Sequence, residues 1–246
     1  MGITFPNESP EYREARSRLL KREVALRREM ESVAKDVRAL PPGGPVSEDY
    51  VFDGLNSEGK PAKIRLSQLF RDGTDTLILY HYMFPRHKTD DRHKPATGPM
   101  ASLPKEQGPC PSCTAFLDQI DGAIPHVEAA GANFAAVAKA PLDRVIAFAR
   151  DHGWRHLRLL SAANNDFKRD YQGEDKEGQQ VPMLTVFHRS GDGTIRLSWA
   201  SEMFFEPTDD DQDPRHNGTI EPLWTLFDLT PGGRPDFEEQ IGYDRP

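Results

Sequence analysis

The chain is poor in cysteine, with two in 246 residues. It is long enough to bury a core without disulfide staples. It also lacks any apolar run near the roughly 20 residues that span a bilayer. It lacks an excess of positive charge. The net charge of −8 argues against a nucleic-acid-binding surface and against an anionic membrane partner. The opening Met1 to Pro6 has no basic segment followed by an apolar one, so no secretory signal is expected. Pro6 occupies the Ser/Thr position of a myristoylation motif. No internal repeat is found. The expected setting is cytoplasmic, where resting thiols stay reduced and a close cysteine pair is catalytic or metal-binding rather than a structural bridge.

What is present is organised around Gly108-Pro109-Cys110-Pro111-Ser112-Cys113. Two cysteines three apart fit a redox dithiol at a helix N-terminus or half of a zinc site. Ahead of them, Glu11 to Leu40 reads as one long helix. Leu20, Val24, Met30, Val33, Val37 and Leu40 recur at three- and four-residue steps. Ser9 and Pro10 start it, and Pro41-Pro42-Gly43-Gly44 ends it. Its apolar stripe has to cover its own domain or a partner subunit, or form a coiled coil, so a homodimer is one outcome. Val51-Phe52 and Lys63 to Leu66 read as a hairpin. Thr76 to Phe84 reads as a strand buried on both faces.

Pro85 to Pro109 is polar and aperiodic, a long loop that ends at the cysteines. Helices and strands then alternate through Leu160. A hairpin from Val181 to Ser201, an acidic loop from Thr208 to Asn217 and a helix from Ile220 to Leu229 follow. The order predicts an α/β fold, a central mixed sheet with helices on both faces. The expected parts are a helical extension over residues 1–45, one domain over 46–233 and a loosely held tail over 234–246.

Cys110 sits directly before the helix opened by Pro111. Free N–H groups and the macrodipole there favour a thiolate. Cys113 lies one turn in, placed to attack a mixed disulfide on Cys110. Val181-Pro182 stands at the entrance of a strand, a position where proline is allowed.

Strand, C-x-x-C, helix, then a proline entering a Leu-x-x-Phe strand and a Gly-rich hairpin resembles the thioredoxin fold. By that resemblance Pro182 should be cis and face the dithiol, with Val181, Pro111 and Ser112 around the substrate groove. Asn133 to Lys139, Pro141 to Phe148 and Gly153-Trp154 to Ser161 resemble the peroxiredoxin branch. The threonine–cysteine signature of that branch is missing, which argues against a peroxidase. More narrowly, the chain is similar to a bacterial domain-of-unknown-function family described as thioredoxin-like dithiol–disulfide oxidoreductases. Asp49 to Gly54, Tyr80 to Phe84, Cys110 to Cys113, Asp121-Gly122, Ala140 to Leu142, Gly153-Trp154 and Leu226 to Pro231 carry the likeness. It implies thiol–disulfide exchange with Cys110 as nucleophile and Cys113 resolving. It implies no bound organic cofactor, and a protein or small-molecule disulfide or thiol as substrate.

Two rival readings remain beside it. His87 and His93 lie in the loop that delivers Cys110 and Cys113, so two histidines and two cysteines could hold zinc. The fold could instead serve as a non-catalytic partner-binding scaffold. His81, at the end of the buried strand, is either a proton acceptor for Cys113 or a core histidine bonded to backbone. Tyr80 and Tyr82 read as packing residues. Asp209 to Asp213 reads as a solvated acidic run, without the ligand spacing of a calcium loop.

Overall fold

The structure, a computed structural model, describes residues 3–94, 98, 100–210 and 220–243. The expected acidic loop lies outside the described residues from Asp211 onward. The chain divides into two compact units, residues 1–43 and 44–246.

The first unit is built on helix α1, Pro10–Ala39. Ser9 Oγ accepts the Tyr12 N–H at 3.1 Å, and Pro10 fills the first helical position. Glu11 in the first turn and Arg38 in the last suit the helix dipole. No residue of α1 is buried; Leu19, Leu20, Leu26, Met30 and Val33 are all exposed.

The second unit carries strands β1 (Val51–Leu55), β2 (Pro61–Arg65) and β3 (Thr76–His81). Helices α2 (Pro111–Asp121) and α3 (Ile124–Ala129), strand β4 (Ala132–Ala138) and helix α4 (Leu142–His152) follow. Then come β5 (Leu159–Ser161), the short α5 (Phe167–Asp170), β6 (Met183–Arg189), β7 (Ile195–Ala200) and α6 (Pro222–Phe227). The seven strands form one sheet in the order β2-β1-β5-β4-β3-β6-β7. Strand β3 is parallel to β4 and antiparallel to β6, and β6–β7 is a hairpin. That β4-β3-β6-β7 core is thioredoxin-like, with β5, β1 and β2 added beyond β4. The α4 helix stops where Gly153 adopts φ +87°, a left-handed turn that a side chain would strain.

Strand alternation divides the core in two. Leu77 and Leu79 of β3 point to one face, packed with Phe52, Leu66, Leu69 and Phe167. Tyr80 and Tyr82 point to the other, packed with Cys110, Cys113, Phe116, Phe84 and Phe148. Each fully buried phenylalanine contributes about 1.5–3 kcal/mol through burial. With both faces of β3 covered, its nearly continuous apolar run is explained.

The structure corrects two expectations. The Val181–Pro182 peptide is trans; among the described residues the cis bond is Phe84–Pro85. Just before β6 the Val181 N–H donates to the Gly173 carbonyl at 3.0 Å, which holds the trans segment against the loop that precedes it. The segment beyond residue 234 is also not wholly loose, because Glu239 and Ile241 are buried and Ile241 joins the cysteine-side core.

Candidate functional site

Cys110 is the N-cap residue of α2, with extended backbone (φ −71°, ψ 129°) and Pro111 at the first helical position. The Cys110 N–H donates to the Met83 carbonyl at 2.9 Å, which ties the helix start to the end of β3. The Cys110 carbonyl accepts the Thr114 N–H at 3.0 Å and the Thr114 hydroxyl at 2.8 Å. Thr114 in turn pairs with the Tyr82 hydroxyl at 2.9 Å. The N-cap position is therefore held from the helix and from the strand.

Both cysteines are free thiols, and both are enclosed, at 1% and 2% exposure. The Cys110 thiol lies below its ordinary range. The Cys113 thiol donates to it, burial opposes, and the Cys113 N–H and the Arg92 charge add to the stabilisation. Cys113 lies well above its ordinary range because of burial and the neighbouring Cys110 charge. The Tyr80 hydroxyl and the Met83 N–H pull Cys113 the other way. Of the two thiols, Cys110 therefore gives up its proton first and Cys113 holds its own the longer.

The loop over 85–109 supplies the cations. Arg92 Nη2 lies 3.6 Å from Cys110 Sγ, and Nη1 donates to the Ser112 hydroxyl at 2.7 Å. Asp90 orients that guanidinium by accepting Nε and Nη2 at 3.0 and 2.8 Å. Glu239, from the far end of the chain, accepts the Ser112 hydroxyl at 2.9 Å and lies 3.5 Å from Arg92 Nη1. Beneath them Arg86 is fully buried, donates to the Arg92 carbonyl at 2.9 Å and braces Asp90 at 3.8 Å. A cavity of about 250 Å³ opens between this loop and the C-terminal segment, lined by Asp91, Arg92, His93, Glu238, Glu239 and Gln240.

His81 lies apart from the cysteines. Alternation along β3 turns it to the opposite face from Tyr80 and Tyr82, where it stacks on Phe167 and meets Thr185 Oγ1 at 3.2 Å. Burial and the charge of Lys168 hold it well below the usual histidine range. The β3 side chain bonded to Cys113 is Tyr80. The zinc constellation does not assemble. Among the described residues no three His, Cys, Asp or Glu side chains come together as metal ligands. His87 Nδ1 instead accepts the Thr89 N–H at 3.2 Å, and His93 faces the cavity. Register places Met183 opposite His81, so Val181 and Pro182 lie just past the end of β3 that carries the cysteines.

A model of a bacterial protein family of unknown function, DUF899, matches residues 3–244. The chain belongs to that family. No curated protein sequence matches it. Among solved structures it is similar to peroxiredoxin Q of Xanthomonas campestris, with 16% identity over 64% of this chain and 84% of that one at a TM-score of 0.42. It is also similar to peroxidoxin BcpB of Mycobacterium tuberculosis, with 15% identity over 74% and 95% at 0.42. Thioredoxin peroxidase I of Plasmodium yoelii has 13% identity over 74% and 88% at 0.44. No helix among the described residues is long and apolar enough to cross a membrane.

Arg86, Arg92, Lys168 and Glu239 do not stand out in the sequence, and Tyr80 reads there as a packing residue. The arginines sit in an aperiodic polar loop, and Glu239 reaches Ser112 from 127 residues away. The charge of the loop that ends at the cysteines is the sequence signal for the two arginines.

Proposed function

We propose that this protein is a thiol–disulfide oxidoreductase, with Cys110 as nucleophile and Cys113 as resolving thiol. The observation that carries the reading is the asymmetry of the pair: Cys110 caps α2 with Arg92 Nη2 3.6 Å from its sulfur and is the first to ionise, while buried Cys113 holds its proton the longer. The Cys110 thiolate attacks one sulfur of a substrate disulfide. That S–S bond breaks, and the other substrate sulfur leaves with the electron pair and takes up a proton. Cys113 then gives up its proton and attacks Cys110 Sγ. The Cys110–Cys113 bond forms and the second substrate sulfur is expelled and protonated. The substrate gains two electrons, and an external thiol donor resets the pair.

Substrate reaches the sulfur along Pro111–Ser112, with Val181–Pro182 flanking it. The enclosure of Cys110 favours a slender disulfide or thiol, entering between the 85–109 loop and the Glu239 segment. A reducing compartment such as the cytoplasm suits a pair that must return to the dithiol. The exposed apolar stripe of α1 is the surface on which a homodimer would form.

Trapping tests this reading. A Cys113→Ser variant incubated with glutathione disulfide should accumulate one glutathione on Cys110, seen as a single adduct by mass spectrometry. The wild type should pass through that adduct to the internal disulfide. A Cys113→Ser protein that stays unmodified would overturn the assignment of Cys110 as nucleophile.

A further inference from the structure

One ionisable side chain near the dithiol has no part in the scheme above. Lys168, on the short helix α5, is completely buried. Its amine donates to the Tyr82 carbonyl at 2.8 Å. That carbonyl belongs to the Tyr82–Met83 peptide, whose N–H is the backbone donor to Cys113 Sγ. The amine and the sulfur thus engage the two ends of one trans peptide. Gly173 closes the enclosure from the side: a Cβ there would press on His81 Nδ1 and stand 3.1 Å from Lys168 Cε.

We propose that Lys168 is a positioning residue for the resolving step, acting on Cys113 through the Tyr82–Met83 peptide. Its ammonium polarises that peptide and strengthens the Met83 N–H bond to the thiolate as it forms. This inference rests on the dithiol reading. It supplies what that reading needs, since Cys113 is hard to ionise while Cys110 is charged. In the mixed disulfide Cys110 carries no charge, so its opposition is gone. The Tyr80 hydroxyl, the Met83 N–H and the Lys168 charge then act on Cys113 against burial alone.

The other charged groups around the amine are few. His81 of β3 is held neutral, and its Nδ1 has no hydrogen-bond partner among the described residues. Glu174 favours the ammonium but is ion-paired to Lys139 at 2.9 Å, and Lys139 opposes it. Burial brings the amine down to about 7, and the Cys113 thiolate raises it. By reciprocity, a charge that stabilises the Cys113 thiolate is itself stabilised by it. Once the disulfide forms, that stabilisation ends.

Two measurements test the inference. In Cys110→Ser, where Cys113 can ionise without an opposing Cys110 charge, the Lys168 amine followed by isotope-edited NMR should titrate at higher pH than in the wild-type disulfide form. In Lys168→Met, stopped-flow resolution of the glutathione adduct should slow by roughly tenfold at pH 7, the effect of raising the Cys113 pKa by about one unit. Its pH midpoint should move up while alkylation of Cys110 in the dithiol keeps its profile. Identical Lys168 titration in Cys110→Ser and in the wild-type disulfide form, or an unchanged resolution rate, overturns the role of Lys168 and leaves the dithiol reading standing. Absence of any Cys110–Cys113 disulfide overturns both.

Discussion

Cys110→Ser is expected to lower turnover of a chromogenic aromatic disulfide to the uncatalysed rate, in an assay with excess reductant. The reasoning is chemical. A serine hydroxyl at the same N-cap would accept the same backbone donors but would remain protonated at any working pH. Its oxygen cannot exchange into an S–S bond, so the Arg92 charge and the α2 N-terminus would have no thiolate to stabilise. Because Ser and Cys are similar in size and serine is a good N-cap, the variant should keep its fold. Loss of activity can then be read as loss of the nucleophile. Turnover retained in Cys110→Ser would move the chemistry away from this residue.

The second large effect is on stability. Lys168 lies at about 7 in the folded chain, against an ordinary value of 10.5. Between those values the unfolded chain holds a proton that the folded chain does not, so the stability attached to this group rises with pH. Its contribution is full above 10.5 and is lost as pH falls through 7. Relative to Lys168→Met, the wild type should gain about 1.4 kcal/mol per pH unit above 7, and about 4–5 kcal/mol in all by pH 10.5. Urea unfolding of the two dithiol proteins across that range measures the difference. The comparison cancels most of the contribution of Cys110, Cys113, Tyr80 and Tyr82, whose titrations also differ between the folded and unfolded chains. At neutral pH Lys168→Met should be the more stable protein, since methionine fills the site without a buried charge. A flat difference would mean that the amine is already solvated in the folded state.

Such a cost at a buried position is of the kind that function tolerates and folding alone does not favour. The same holds, less sharply, for Arg86, whose Nε and Nη2 lack partners among the described residues.

Local signals made much of the fold legible. Ser9-Pro10 and Pro41-Pro42 bound α1 to within a residue of its observed ends, because caps and prolines act where they stand. The unbroken apolar run at Thr76 reads as a central strand because both its faces are covered. Cys110 could be placed at a helix N-terminus because Pro111 suits the first position and little else. What was hidden depends on contacts across the sheet. Counting by two from Tyr80 puts His81 on the other face, but which face carries the cysteines emerges only once α2 is packed. Nothing in the sequence around Lys168 marks it for burial, and the packing of α5 against the end of β3 encloses it. The trans geometry of Pro182 and the burial of Glu239 and Ile241 likewise depend on segments far away in sequence.

The central claim is that Cys110 and Cys113 cycle between dithiol and disulfide. Its most direct test is a titration of the purified protein in glutathione buffers of graded potential, quenched with an alkylating agent and read by mass spectrometry. The predicted result is one two-electron transition, at roughly −180 to −300 mV, in which both thiols disappear together and a single Cys110–Cys113 disulfide appears. Two thiols that stay reduced in the most oxidising buffer would contradict it, as would independent glutathione adducts on each without an internal bond.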